Sequence, residues 1–447
     1  MCSVALNQLR KVNHQSQFVR SMASQYLLSC GWNDCLPART PNGPLTGHRT
    51  ADVVVIGAGF TGIACAKRWQ SLAPEDEIVL LEATTVGEGN PGRNSGFLLE
   101  IALAEDAEAG RVAQLEAANQ LTRETMASIK EAVDQFGTPG ILARLGTYRA
   151  AASPVGLSAL ERYEAFLVAA GLEYRRLSAV ELERELGTPF YKAGLYSPDC
   201  YLAQPAALIR ALAKGLPKTV SLFEQSPVLR LDRLPGKWRV VTQEGVITTE
   251  RVVLANNGFA AKLGFAKANL ASVYTYAGLT PRLPESVLDA LGTNQEWGLL
   301  PTHRLGSTLR RTNDGRLLIR SLHDYERERD ASSIRAALKN RLHSRFPQLE
   351  GVDFEHLWGG AVGFTFNGGL VWGELEKGLF ASCGCNGGGT VKGTLLGSLL
   401  AERALGQTTP DALALFGQAS WMPPEPFRAA GFYLTSAWES LQGRREL

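Results

Sequence analysis

The sequence predicts an α/β protein of two interleaved domains. One is built on a buried parallel sheet and the other on a mixed or antiparallel sheet. Three observations carry this reading. Ala51-Asp-Val-Val-Val-Ile-Gly57 is a continuous apolar run closed by glycine, the pattern of a strand buried on both faces. Gly57-x-Gly59-x-x-Gly62, a helical stretch and a second apolar run, Glu77-Ile-Val-Leu-Leu-Glu82, follow it at once. Strand-like segments recur far downstream, at 218–255, 272–282 and 305–323, with no low-complexity linker to separate bead-like domains.

Length and composition agree. The 447 residues exceed one ordinary domain, and 45% hydrophobic against 20% charged residues is a globular balance with ample core. Lys and Arg number 46 and Asp and Glu 44, a net +2 with no long basic run. That charge gives no support for nucleic acid or an anionic membrane as the main partner. No apolar stretch is long enough for a membrane span. Seven cysteines without a C-x-x-C pair read as reduced thiols of a cytoplasmic protein. The six histidines form no ligand cluster, so no protein-held metal is expected.

Taken in order, residues 1–50 are polar, with prolines at 37, 41 and 44, and read as an arm lying over the body. Residues 1–33 carry Arg10, Lys11 and Arg20 and no acid, which fits a loose leader or a start at Met22 better than a transit peptide. Helical spacing predicts a long surface helix at 105–135 and two shorter helices within 157–187. Between 218 and 255 four strands are expected, with Pro235-Gly236 as one of their turns. Asn313-Asp314-Gly315 marks a hairpin inside 305–323. A helix at 331–346, a strand at 378–383, a glycine cluster and an apolar helix at 390–405 complete the chain. The first domain is expected to combine 51–105, 190–270 and 360–447. The second is expected to combine 106–189 and 271–359.

Four motifs carry chemistry. In Gly57-x-Gly59-x-x-Gly62 the first glycine permits the sharp turn out of the strand. The second lets a pyrophosphate approach the backbone, and the third lets helix and strand pack closely. The helix N-terminus then faces the phosphates, and Glu82, twenty residues on, is placed to accept ribose hydroxyls. Gly87-Glu-Gly-Asn-Pro-Gly92 fits the same spacing, but no strand runs directly into it and it contains a proline, so it reads as loop. The second motif, Glu88 to Phe97, sets Arg93, Asn94 and Ser95 among glycines, suited to backbone donation beneath a flat ring system. The third, Arg251 to Phe259, is a buried strand ending in Ala255, Asn256, Asn257 and Gly258. The fourth, Ser382 to Thr394, is a strand, three glycines and a helix, a second N-terminus able to stabilise negative charge.

Together these motifs resemble the D-amino-acid-oxidase-like superfamily of FAD-dependent oxidoreductases, and look most similar to its γ-glutamylputrescine oxidoreductase branch. Pro91-Gly-Arg-Asn-Ser-Gly96 is similar to the Gly-Arg-Asn-Gly-Gly segment of that branch. The resemblance runs from about 50 to 440. Weaker markers are Gln204-Pro205, Tyr274–Leu283, Ser307–Arg316 and Trp358-Gly359. It implies a Rossmann-like, glutathione-reductase-like FAD domain with an interleaved α+β substrate domain. It implies cofactor contacts from Gly57, Gly59, Phe60, Thr61, Gly62, Glu82, Ala83, Arg93, Asn94, Ser95, Gly96, Phe97, Val228, Asn256, Gly258, Gly384, Gly387, Gly388, Gly389, Thr390, Val391 and Lys392. Departures are also visible. Asn367-Gly-Gly-Leu-Val-Trp-Gly373 replaces an Asp-x-x-Pro-x-Ile-Gly pattern, and Arg320-Ser321 replaces glycines. No cysteine stands in Gly363–Phe366, where some relatives attach flavin, so FAD is expected to be noncovalent.

The chemistry the resemblance implies is oxidation of a C–N bond in a small amine or amino-acid derivative, with O2 or a quinone as acceptor. The flavin takes a hydride, and water hydrolyses the imine. An FAD enzyme acting on a hydroxy acid or polyol phosphate, and a non-catalytic flavoprotein, remain open on sequence. The residues expected to act on substrate are Tyr276, His323, Arg320 and Lys392. Tyr274, His303, Arg310, Trp358 and Asn367 are further candidates by position. For each of these, packing or a structural ion pair is the competing reading.

Overall fold

The computed structural model describes residues 26–101 and 112–447. The arm before Tyr26, and the expected start of the helix at 105, lie outside the described residues.

Five strands form the parallel core of the first sheet, in the order Leu379–Cys383, Gly245–Leu254, Gly47–Ile56, Ile78–Leu81, Ser221–Phe223. The expected strand at 51–57 is real but begins at Gly47, inside the segment read as arm. Its last four residues, Val53–Ile56, are all buried, as are all four residues of Ile78–Leu81. Gly245–Leu254 serves two neighbours on one side. Its first half pairs antiparallel with Lys237–Val241, and its second half pairs parallel with Leu379–Cys383. Helices Phe60–Leu72 and Val391–Ala404 pack against each other so closely that a Cβ on Gly397 would lie 2.1 Å from the Thr61 carbonyl oxygen. Glycine there permits backbone-to-backbone approach.

A second sheet has eight strands, in the order His356–Phe364, Ala271–Leu279, Leu317–Tyr325, Thr308–Arg311, Trp297–Pro301, Thr147–Ala151, Ala193–Ser197, Arg175–Ser178. The Asn313-Asp314-Gly315 turn joins two of them as expected, with Gly315 at φ +78°. Helix Ala331–Arg345 packs Ile334, Leu338 and Leu342 with Tyr274, Tyr276 and Ile319 in one core cluster. Ala277, Leu279, Leu318 and Trp358 belong to a separate cluster with Cys30, Trp32 and Ala206. A small sheet of Phe97–Leu99, Cys200–Ala203 and Leu142–Arg144 completes the β structure among the described residues.

Sheet membership moves two expected boundaries. Ala193–Ser197 and His356–Phe364 pair in the eight-stranded sheet, so the chain leaves that sheet after 197 and after 364 rather than at 190 and 360. Gly87–Gly92 is also more than a loop. It leads into a one-turn helix, Asn90–Arg93, capped by Gly89.

Candidate cofactor and substrate site

A cavity of about 400 Å³ opens where the C-terminal ends of the parallel strands meet the edge of the second sheet. Ile56, Gly57 and Leu81 bring the sheet to it, and Ala361 and Val362 of the second sheet roof it.

The first glycine turn forms one end. Gly57 has φ +105°, and a Cβ on it would lie 2.9 Å from the Ala255 carbonyl oxygen. A Cβ on Gly62 would lie 1.9 Å from the Gly57 carbonyl oxygen, so helix and strand meet here only through glycine. Gly59 caps the helix without a side-chain hydrogen bond, which leaves the first-turn N–H groups free of side-chain partners. Glu82 is fixed beside this turn. One oxygen accepts from the Ala58 N–H at 3.2 Å and the other from the Thr84 N–H at 3.1 Å. Burial holds its carboxyl above the usual carboxylate range, against the pull of those hydrogen bonds.

The second and fourth motifs line the remainder. Gly89, Asn90, Pro91 and Asn94 come from the one-turn helix and its exit. Gly387, Gly389, Thr390, Lys392 and Gly393 come from the turn into Val391–Ala404, whose N-cap Thr390 makes no side-chain cap. Asn256 lines the cavity with a buried Oδ1 that has no partner among the described residues. A dinucleotide fits this arrangement. Two helix N-termini line one cavity, a fixed carboxylate stands at the end of the second strand, and an orphaned amide oxygen awaits a donor.

Of the expected cofactor residues, Gly57, Gly59, Phe60, Thr61, Glu82, Ala83, Asn94, Val228, Asn256, Gly387, Gly389, Thr390 and Lys392 line the cavity. Gly62, Arg93, Ser95, Gly96, Phe97, Gly258, Gly384, Gly388 and Val391 are not in its lining. Arg93 is the instructive case. Its guanidinium is committed to carbonyl oxygens of Glu88 at 2.6 Å, Gly359 at 2.8 Å and Leu28 at 3.0 Å, and it lies 3.9 Å over the Tyr26 ring. It ties the arm, the second turn and the edge strand of the second sheet together. Tyr26 donates to Asn90 Oδ1, the Cys30 thiol to the Gly92 carbonyl, and Trp32 Nε1 to the Asn94 carbonyl at 2.9 Å.

The substrate candidates fare differently. Tyr276, His323 and Arg320 do not line this cavity. Tyr276 is fully buried, and its hydroxyl accepts from the Arg329 N–H at 2.8 Å. Burial, with Arg320 and Arg341 nearby, pushes His323 down to about 3, so its imidazole is neutral at physiological pH. Arg320 Nε donates to Thr275 Oγ1 at 2.8 Å. Lys392 alone of the four lines the cavity, with its ammonium 5.9 Å from the Phe416 ring centre. Tyr274 packs edge-on with Tyr26. His303 faces Glu439 at 3.2 Å, and Trp358 donates to the Arg93 carbonyl at 3.0 Å. Asn367 donates to the Gln418 carbonyl at 2.9 Å. Arg310 is spent on the Ala203 and Ser95 carbonyls and on Glu296.

Sequence reasoning missed several lining residues, among them Asn90, Phe259, Lys262 and Asn257. Asn257 takes φ +50°, accepts from the Gly384 N–H at 3.0 Å and donates to Cys385 Sγ at 3.0 Å. An Asn-Asn-Gly at a strand end is the available signal, since Asn tolerates the left-handed region. Cys383 and Cys385 also line the cavity. Burial pushes the Cys383 thiol up to about 12, which leaves it protonated. Among the described residues no group of three His, Cys, Asp or Glu is placed to hold a metal, and no helix is long and apolar enough to cross a membrane.

Comparison with known proteins agrees with this geometry. The chain is 26% identical over 426 residues to a probable oxidoreductase OrdL of Rhizobium meliloti (strain 1021), covering 92% of this chain and 96% of that one. It is 24% identical over 368 residues to the gamma-glutamylputrescine oxidoreductase of Escherichia coli (strain K12), covering 79% and 83%. The crystal structure of glycine oxidase from Geobacillus kaustophilus superposes with a TM-score of 0.72 at 20% identity, covering 84% of this chain and 100% of that one. The family model of the DAO FAD dependent oxidoreductases matches residues 52–403. With the Rossmann-like parallel sheet and two helix N-termini lining one cavity, the chain belongs to the DAO family of FAD-dependent oxidoreductases.

Proposed function

We propose that the protein oxidises the C–N bond of a small amine, with FAD held noncovalently, to an imine that water then hydrolyses. One observation carries the choice of amine over α-amino acid. Among the described residues no arginine lines the cavity: Arg93 has its donors committed to backbone carbonyls, and Arg310 gives its terminal nitrogens to the Ala203 and Ser95 carbonyls and to Glu296, with only its buried Nε unpartnered. A free guanidinium fork is the usual means of holding a carboxylate. The Escherichia coli relative is named for gamma-glutamylputrescine, a conjugate of an aliphatic diamine, which supports the same choice.

In this reading the parallel-sheet half holds the cofactor and the eight-stranded half roofs the substrate. Bound FAD supplies the hydride acceptor. The N-terminus of Phe60–Leu72 holds its pyrophosphate, and Glu82 accepts from its ribose. The N-terminus of Val391–Ala404, with Lys392 in its first turn, lies where negative charge is stabilised. Phe259, Ala361 and Val362 present an apolar wall that excludes water and disfavours the ammonium form of the amine. No side-chain base is required, because a neutral amine carries its own lone pair.

Anaerobic visible absorption of the purified protein, titrated with amines, α-amino acids and hydroxy acids, tests the reading. Bleaching by an amine and not by the matching α-amino acid is the expected result. Bleaching by a hydroxy acid alone would overturn it. Acid precipitation should leave all the flavin in the supernatant; a yellow pellet would refute noncovalent binding.

A further inference from the structure

The last helix, Phe427–Gln442, contains no buried residue. Its inner face touches the body lightly. Arg428 donates to the Pro423 and Leu270 carbonyls, the Phe432 ring lies 5.4 Å from that of Tyr325, and Glu439 meets His303. Its outer face is apolar. Phe427, Leu434, Trp438 and Leu441 are each more than 60% exposed, and Tyr433 and Trp421 flank them. With Gly431, the outer residues 427, 431, 434, 438 and 441 are spaced by four, three, four and three, the seam of a helix that packs against another helix.

Gly431 sharpens the point. Glycine inside a helix is destabilising relative to alanine. Here a Cβ would meet nothing within 4 Å among the described residues, so none of them needs its smallness. Close approach from outside explains it.

We infer that this helix pairs antiparallel with the same helix of a second copy of the chain, about a two-fold axis near Leu434. Such a pair is self-complementary, as a two-fold contact must be. It sets Phe427 opposite Leu441 of the second copy. It also sets Trp438 over the small Ala430–Gly431 step, where the missing side chain leaves room for an indole. Charge agrees. Arg444 and Arg445, exposed past the end of one helix, come alongside Glu425, exposed before the start of the other. The basic end of each helix thus meets the acidic start of its partner, the arrangement favoured by both helix dipoles.

Sedimentation velocity of the FAD-loaded enzyme at micromolar concentration tests this. The wild type should run as a dimer. Leu434→Glu and Gly431→Leu should both run as monomers, with a dimer dissociation constant raised by about a hundredfold or more. Both positions face outward, so flavin absorbance and far-ultraviolet circular dichroism should hold. Gly431→Leu is the sharper variant, because leucine is the better helix former and would strengthen a helix that had no partner. A monomeric wild type, or two variants that remain dimeric, would overturn the pairing. So would a monomeric wild type that co-sediments with vesicles containing phosphatidylserine, which would make this face a membrane contact.

Discussion

Gly57–Gly62 and Gly87–Gly92 share a spacing and, in the folded protein, nearly a backbone. The first glycine of each has φ near +100°, at +105° and +99°. The second caps a helix in the same extended conformation, with ψ −173° and −174°. The third would carry a Cβ 1.9 Å from the carbonyl oxygen of the first in both. They differ in what lies around them. The first leaves the middle of a parallel sheet and opens a helix of 13 residues. The second leaves the loop after Ile78–Leu81 and opens a helix of 4, stitched down by Arg93 and by the arm. A glycine spacing therefore specifies a local turn. The sheet before it and the length of helix after it decide whether the turn presents a sustained field to a phosphate. The two turns also touch, since a Cβ on Gly59 would lie 3.0 Å from Pro91 Cγ.

Substitutions can break this comparison. Gly62→Val should have the largest effect, about 3 kcal/mol or more of lost stability, because a rigid carbonyl blocks the new side chain in the centre of the sheet. The purified protein should be colourless. Gly59→Val should leave the fold largely intact but abolish FAD retention, read as flavin absorbance against melting temperature; full occupancy would sink the assignment of this turn to the pyrophosphate. Gly92→Val meets the same clash on a short helix that can shift. A loss of about 1–2 kcal/mol with FAD still bound is expected, and a loss equal to that of Gly62→Val would show the two turns to be equivalent.

The smallest effect is expected at Glu82. Glu82→Gln should weaken FAD binding about tenfold by replacing charge-assisted with neutral hydrogen bonds. The wild type should show a pH signature of the same group. Its carboxyl is raised above the ordinary 4.5 by burial. As pH falls through that raised value, protonation removes an acceptor and FAD affinity drops. Stability of the protein without FAD moves the other way, because the proton relieves a buried charge. Calorimetric FAD titration and thermal melts between about pH 4 and 7 should give opposite slopes, which Glu82→Gln should flatten.

Much of the cofactor half was legible because its chemistry is local. The strand 51–57, the turn after it and Glu82 lie within one short stretch, and the helix at 390–405 differs from Val391–Ala404 by a residue at each end. The roof was not legible. His356–Phe364 holds Gly359, Gly360 and Gly363, which blur the alternation of a strand. Their reason is tertiary: a Cβ on Gly363 would lie 2.4 Å from Asn257 Oδ1. Tyr274 and Tyr276 stand two apart on one strand and pack in the same core cluster. All nine residues of Ala271–Leu279 are buried, however, so burial distinguishes neither face. The face carrying Tyr276 packs with helix Ala331–Arg345 instead of lining the cavity.

By itself the sequence determined the family, the cofactor class, the parallel strands and the first helix N-terminus. Each of those depends on residues close in the chain, where steric rules act directly. The tertiary structure alone decided which of the expected residues line the cavity. It committed Arg93 and Arg310 to distant backbone carbonyls, and made a loop into a second glycine turn. It also left one apolar helix face uncovered. Those outcomes depend on which distant carbonyl a side chain meets and which strand face looks inward, and no local spacing encodes either.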